Sequence, residues 1–357
     1  MKQIYLDSAA GQDNPSSLHQ EGILAARKLD QARRKVAEIL HAQPDEIIFT
    51  SGGTESNNLA IFGLKPRHLI TTDLEHASVL EPAKKFNASF ISNISELKNN
   101  LKKQTDLVSV IYAHNEIGVI NNIREVAKVI RKFRLANKSR TPYLHTDACQ
   151  AAKYLDLNVQ KLGVDLLTLN GAKIGVAGVG CLFVRRGIKI LPVLLGGGQE
   201  RGLRSGTENV AGIIKFARAL ELAQKNREMN NQKVSKLRDY FIVKLLKLKN
   251  VKLNGPEITE NKKEVRLANN VSVSFAGLLG EQIVLELDAK GIACSTGAAC
   301  SLQTHDLIKT DSSAVRFSLS PETKKSDLDY VLRVLPDILK KLNSVKKLNK
   351  QLDPSVT

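Results

Sequence analysis

The chain has 357 residues, 42% apolar and 25% charged, which suits a globular protein too large for one hydrophobic core. No apolar run is long enough to span a bilayer. Four cysteines (Cys149, Cys181, Cys294, Cys300) without a CxxC pair exclude a disulfide-stapled scaffold, a zinc site of that type and a thioredoxin-like dithiol.

The first strand-like run, residues 4–6, starts almost at Met1 and leaves no room for a signal peptide. With thiols taken as reduced, this predicts a cytoplasmic protein without a membrane partner. The net charge of +17 favours acidic surfaces. Its lysines, however, recur at helical spacing through 233–252 and 340–350, which reads as solvated faces. With only 4% aromatics for a stacking platform, direct nucleic-acid binding is disfavoured. From 46 to 185, short apolar runs at 46–50, 69–72, 107–113, 143–146, 166–169 and 181–185 read as buried strands. Helical patterns lie between them; at 123–134, Ile123, Val126, Ala127 and Ile130 share a face. Alternating strands and helices predict a mostly parallel sheet covered on both sides, with ligands at the carboxyl ends of its strands.

After Thr207 a helical stretch runs to about residue 248. A strand is expected at 270–275, a helix at 281–290, a strand at 314–319 and a final helix near Ser326, with Ser326 as N-cap and Asp327 and Asp329 in the first turn. The expected organisation is a large α/β domain over 12–230 and a small α+β domain over 231–357, with residues 1–11 packing near the latter.

Several residues sit where chemistry is expected. Gly52-Gly53-Thr54 follows a strand and opens a helix, where free N–H groups can hold a phosphate; alone, it reads first as a tight strand-to-helix turn. Asp147 falls just past the strand at 143–146, and Lys173 follows the strand at 166–169. A helix cap and a surface lysine are their ordinary fates. Together they supply what pyridoxal phosphate needs: an amine able to form an imine and an acid for the pyridine nitrogen. Cys300 lies among small residues in Ser295-Thr296-Gly297-Ala298-Ala299-Cys300-Ser301, a setting for an exposed reactive thiol, whereas Cys181 reads as a buried strand cysteine. Arg316, a lone arginine in an apolar strand, can clamp a carboxylate or form a buried ion pair.

Ordered motifs give these residues a context. Tyr5-Leu6-Asp7-Ser8-Ala9-Ala10 resembles the YLDNAAT opening of class V aminotransferase-like enzymes. Phe49-Thr50-Ser51-Gly52-Gly53-Thr54-Glu55-Ser56-Asn57-Asn58-Leu59-Ala60 nearly repeats the FTSGATESNNLA signature of cysteine desulfurases. Glu75-His76, Asn115-Glu116-Ile117-Gly118-Val119, His145-Thr146-Asp147-Ala148-Cys149-Gln150, the run from Gly196 to Val210, the cysteine motif ending at Ser301 and Arg316-Phe317-Ser318-Leu319 follow in family order. On these motifs the chain resembles a shortened cysteine desulfurase along nearly its whole length.

The resemblance implies a pyridoxal-phosphate-dependent transferase of fold type I, with a mostly parallel seven-stranded-type sheet and a small domain carrying the cysteine loop. It implies that Lys173 holds the cofactor as an imine and then moves the Cα proton. Asp147 would pair with the ring nitrogen, and Gln150 and Asn115 would reach the phenolic oxygen side. His76 would stack on the ring and serve as acid or base. Gly53, Thr54 and Asn170 would hold the phosphate, Thr207 would reach it from the partner of a homodimer, and Arg316 with Asn115 would bind the substrate carboxylate. Cys300 would take the sulfur of L-cysteine as a persulfide, releasing alanine, for an iron–sulfur scaffold or a tRNA-thiolating enzyme.

The sequence departs from the family pattern in three places. Asn170-Gly171-Ala172-Lys173-Ile174-Gly175 has alanine where relatives place histidine and lacks the tyrosine after the isoleucine. The opening is shortened between Ala10 and Asn14. The stretch from Cys300 to Arg316 is short, which predicts that an acceptor must come close to the cofactor. A selenocysteine lyase and a decayed, basic nucleic-acid-binding scaffold are the competing readings.

Overall fold

The computed structural model describes residues 4–11, 14–258, 265–297 and 312–352. The chain separates into two compact units, one of Met1–Ala113 with Asn121–Arg227, the other of His114–Ile120 with Glu228–Thr357. The sequence reading put the divide at 230/231, kept 114–120 with the large domain and set 1–11 beside the small one.

The first unit contains α1 (Gln20–Leu40), β1 (Ile47–Thr50), α2 (Gly53–Leu64), β2 (Leu69–Thr72), α3 (Ala77–Ala83), β3 (Ala88–Ile91), α4 (Leu97–Asn100), β4 (Leu107–Ser109), α5 (Ile123–Asn137), β5 (Tyr143–Asp147), α6 (Val159–Leu162), β6 (Leu166–Asn170), β7 (Gly180–Val184) and α7 (Val210–Lys225). Its strands form a seven-stranded sheet in the order β1-β7-β6-β5-β4-β2-β3. Neighbours from β6 through β5, β4 and β2 to β3 are parallel. β7 runs antiparallel to both β6 and β1, so β1 points the same way as β6.

Alternation along β1 shows how the sheet is covered. Ile48 packs with Leu59 and Ala60 of α2 and with Leu166 and Leu182. Phe49, one residue on and therefore on the opposite face, meets Phe216 of α7 edge to face, with centroids 6.5 Å apart. Helices thus cover both faces, as a parallel sheet requires.

In consequence, the carboxyl ends of β1, β2, β4, β5 and β6 and the amino end of β7 share one edge. The chain places Ser51–Gly53, Glu75-His76, Asp147 and the turn bearing Lys173 on that edge.

Some local expectations need correction. Residues 4–6 form no strand: Tyr5 instead donates its hydroxyl to the carbonyls of Asp7 and Gly11, at 3.0 and 2.9 Å, and shapes a turn. The run at 107–113 leaves the ladder after Ser109, and Asp147 is the last residue of β5 rather than the residue beyond it. β3 was not anticipated, being only half-buried and so lacking a continuous apolar run.

The second unit holds most of α8 (Arg227–Leu245), then β8 (Val251–Leu253), β9 (Asn270–Phe275), α9 (Gly280–Asp288), β10 (Ser295–Thr296), β11 (Ala314–Ser318) and α10 (Lys325–Leu352). Its antiparallel sheet has the order β10-β11-β9-β8. The helical stretch expected after Thr207 breaks at Asn226 into α7 and α8. Ser326 is not the N-cap of α10. The helix starts at Lys325, and Asp327 accepts the Lys324 N–H at 2.8 Å.

Candidate active site

The site is built at the edge where the parallel strands end. α2 begins at Gly53, and no side chain caps its N-terminus. The first N–H groups of such a helix lack intrahelical acceptors and carry the positive end of its dipole. Glycine is required there by space. A Cβ on Gly53 would lie 2.8 Å from Cys149 Sγ and 3.3 Å from Asn170 Cβ. Ser51, before the turn, is fixed by Glu55, whose Oε2 accepts both its N–H (2.8 Å) and its hydroxyl (2.5 Å). Arg204 holds the other Glu55 oxygen at 2.8 Å. Burial pushes the Glu55 carboxyl up, but the hydrogen bonds from Arg204 and Ser51 outweigh it and keep it below the ordinary range.

Asp147 is buried at the end of β5. Its Oδ2 accepts Asn57 Nδ2 at 2.7 Å and its Oδ1 accepts the Cys149 N–H at 2.9 Å, so the carboxylate is held from both sides. The alternative reading of a helix cap fails because no helix follows directly: Asp147 Oδ1 closes a local turn onto Cys149, and Oδ2 binds Asn57.

Lys173 lies in a single turn, Gly171–Ile174, directly after β6, and its side chain is exposed. Asn170 starts this turn by accepting the Ala172 N–H at 3.0 Å, which leaves its amide nitrogen facing the start of α2. The turn closes where Gly171 donates to Val179 O at 2.8 Å and accepts from Val176 N at 2.8 Å. A Cβ on Gly171 would strike those same carbonyl regions, at 2.4 Å from Val176 O. The shortened lysine loop is therefore a closed turn that still carries the amine to the strand edge.

Cys149 joins these pieces. Burial, and then Asp147, push its thiol well above the ordinary range, while the nearby charge of Lys173 acts in the opposite direction. Asp147 thus holds the Cys149 backbone, and the Cys149 sulfur lies against the start of α2.

His76 caps α3, its Nδ1 accepting the Ser78 N–H at 3.1 Å and lying 2.7 Å from Ser78 Oγ. Asn57 reaches the same Oγ at 2.8 Å. Gln150 is half-buried one residue beyond Cys149, and Thr207 is exposed.

Two further expectations fall in the second unit. Arg316 Nη1 lies 3.5 Å from the carbonyls of Asn115 and Gly297. The 114–120 turn is pinned there by Asn270, which donates to the carbonyls of Glu116 (2.9 Å) and Asn115 (3.3 Å), and accepts from the buried Arg266 (2.9 Å). Cys300 lies outside the described residues.

Sequence reasoning missed Asn57, Ser78 and Glu75. Glu75 is buried, accepting Thr72 Oγ1 and the Ile111 N–H, both at 2.7 Å, and burial pushes its carboxyl up to about 8. The available signal was a polar side chain in an otherwise buried helical face: Asn57 sits one turn from Gly53 among Leu59, Ala60 and Ile61.

These features suit pyridoxal 5'-phosphate. An uncapped helix start lined by glycine fits a phosphate, a doubly anchored carboxylate fits a pyridine nitrogen, and an exposed lysine in the turn after β6 fits the aldehyde. The aminotransferase class-V family model matches residues 1–331. The chain belongs to that family.

It is 40% identical to cysteine desulfurase IscS of Dictyoglomus turgidum, over 95% of this chain and 92% of that one. Among solved structures it resembles a NifS-like protein (33% identity, TM-score 0.83, 92% of each chain). It also resembles the apo cysteine desulfurase of Thermococcus onnurineus (25% identity, TM-score 0.79, 91% of this chain and 87% of that one). The chain is a pyridoxal-phosphate-dependent enzyme of the cysteine desulfurase type, and these relatives favour neither the selenocysteine lyase nor the decayed scaffold.

Proposed function

We propose that this enzyme removes sulfur from L-cysteine, releases alanine, and stores the sulfur as a persulfide on Cys300 for an acceptor protein, either an iron–sulfur scaffold or a tRNA-thiolating enzyme. The observation that carries the reading is that three segments end at one strand edge: the uncapped start of α2, where Gly53 lies against Cys149 and Asn170, Asp147 at the end of β5, and the Lys173 turn directly after β6.

When bound, the cofactor would supply an electron sink conjugated with Cα through the substrate nitrogen, making that carbon acidic and the sulfur open to attack. The chain supplies the rest. Gly53 and Thr54 N–H groups and the Asn170 amide hold the phosphate. By the family resemblance, Asp147, Gln150 and Asn115 would orient the ring, Asn115 and Arg316 would take the substrate carboxylate, and the Lys173 amine would accept the Cα proton. The Cys300 thiolate bonds to the substrate sulfur as the carbon–sulfur bond breaks.

A homodimer is part of this reading. Leu191, Val193, Leu194 and Leu195 form an exposed apolar run in the first unit, just before the segment that carries Thr207. An apolar run of this kind is expected to be covered in the working enzyme, and Thr207 would serve the partner's phosphate. No helix is long and apolar enough to cross a membrane among the described residues, and a cytoplasmic location accords with that.

Mass spectrometry after incubation with L-cysteine tests the proposal. One extra sulfur is expected on the peptide containing Cys300, and none in Cys300→Ala. An unmodified Cys300 in cofactor-loaded protein would overturn the assignment.

A further inference from the structure

The described residues contain an unbroken polar chain that the family reading does not use. Asn57 Nδ2 donates one hydrogen to Asp147 Oδ2 at 2.7 Å and the other to Ser78 Oγ at 2.8 Å. Both hydrogens of the amide are then committed. Ser78 Oγ, having accepted from Asn57, has its own hydrogen left for His76 Nδ1 at 2.7 Å. The Ser78 backbone N–H points at the same nitrogen from 3.1 Å. A backbone N–H can only donate, so Nδ1 is the acceptor and the neutral ring carries its proton on Nε2. Asn57 and Ser78 are themselves buried, so water does not compete for these bonds.

We infer that Asn57 is a positioning residue that, by orienting the Ser78 hydroxyl, adds a second donor beside the backbone N–H at Nδ1 and so locks His76 in the Nε2–H tautomer, a hydrogen-bond donor rather than a base, while its second amide hydrogen holds Asp147. A neutral imidazole with Nδ1 occupied has no lone pair to offer at Nε2. It can polarise a neighbouring oxygen or sulfur by donating, as neutral histidines do in other enzymes. The proton leaving the substrate must then go elsewhere, and Lys173 is the amine available at that edge. One amide thus aligns the carboxylate that would pair with the ring nitrogen and sets the hydrogen-bonding sense of the imidazole.

The inference rests on the reading of His76 and Asp147 as cofactor contacts, but its test does not. Nitrogen NMR of histidine-labelled apoprotein, at neutral to mildly alkaline pH, reads the tautomer directly, with His76→Gln assigning the signal. A pyridine-type Nδ1 and a pyrrole-type Nε2 are expected for His76. Asn57→Asp keeps the size but turns the donor into an acceptor. It is expected to draw the Ser78 hydroxyl away from Nδ1 and shift the signals toward a mixed population. Ser78→Ala cuts the same chain one link later and should move them in the same direction, so a variant that fails to fold does not end the test.

A wild-type His76 protonated on Nδ1, or a tautomer unmoved by both substitutions, would overturn the inference. If Cys300 gains no sulfur while the NMR result holds, the desulfurase reading fails and the positioning role of Asn57 stands.

Discussion

At the scale of single residues, burial decides which groups carry charge. Glu75 and His145 both lie in the first unit without contact with bulk water, and both are shifted toward their neutral forms. Burial raises Glu75 to about 8, and burial lowers His145 to about 4, the ring bridging Ser109 Oγ (2.8 Å) and Thr168 Oγ1 (3.0 Å). Their effects on stability have opposite signs. An acid raised in the folded state keeps its proton while the unfolded chain loses one, so the Glu75 contribution is present at low pH and is lost as pH rises from about 4.5 to about 8. A base lowered in the folded state does the reverse, and the His145 contribution is lost as pH falls from about 6.5 to about 4.

Glu75→Gln keeps the Oε1 acceptor for Thr72 and Ile111 but removes the titration. Urea unfolding across this range is expected to show the variant gaining on the wild type as pH rises toward 8; a constant difference would contradict the burial argument. Residue identity was legible only in part here. Lys173, Asp147 and His76 stood out because family motifs surround them. Glu75 and Asn57 lie in the same motifs but were given no role, because a buried carboxyl and a buried amide are spelled like exposed ones until the fold supplies their partners.

At the scale of elements, two attachments bring the phosphate cradle together. The first is the glycine contact at the start of α2. Gly53→Ala would force its Cβ to within 2.8 Å of Cys149 Sγ, closer than real contacts allow. Cofactor affinity, read by fluorescence titration of the apoprotein, is expected to fall by about tenfold, equivalent to about 1.4 kcal/mol. Adding Cys149→Ala removes the obstructing sulfur and should restore part of the loss; no recovery would mean the contact is not what limits binding.

The second attachment is the buried pair of Arg33 on α1 with Glu200. It is bidentate at 2.8 and 2.6 Å, and Glu200 also accepts the Phe49 N–H at 3.0 Å. It joins α1, β1 and the loop leading to Thr207. Removing one partner leaves a buried charge, so Glu200→Ala is expected to cost about 3–5 kcal/mol in urea unfolding. A loss below about 1 kcal/mol would show the pair to be dispensable. The strands and the amphipathic α5 were readable because burial on both sheet faces and a single apolar helix face leave period-specific patterns. β3 was not, since it is half-exposed, and neither was the Arg33–Glu200 pair, whose partners are far apart in sequence.

At the scale of the whole molecule, the class of fold followed from the alternation of apolar runs and helical patterns, and the β1–β7–β6 antiparallel excursion did not. Nothing in an apolar strand states its direction. The placement of residues 114–120 with the second unit was equally hidden, because it depends on Asn270, itself held by Arg266, capturing the Asn115 and Glu116 carbonyls rather than on any local propensity.

The central claim is a reaction that needs both the Lys173 amine and the Cys300 thiol, and its products identify it. With L-cysteine and a thiol reductant, cofactor-loaded protein should form alanine and sulfide in equal amounts, and Lys173→Ala and Cys300→Ser should each lose at least about a hundredfold in that rate. Alanine formation that survives in Lys173→Ala, or pyruvate and ammonia in place of alanine, would contradict it.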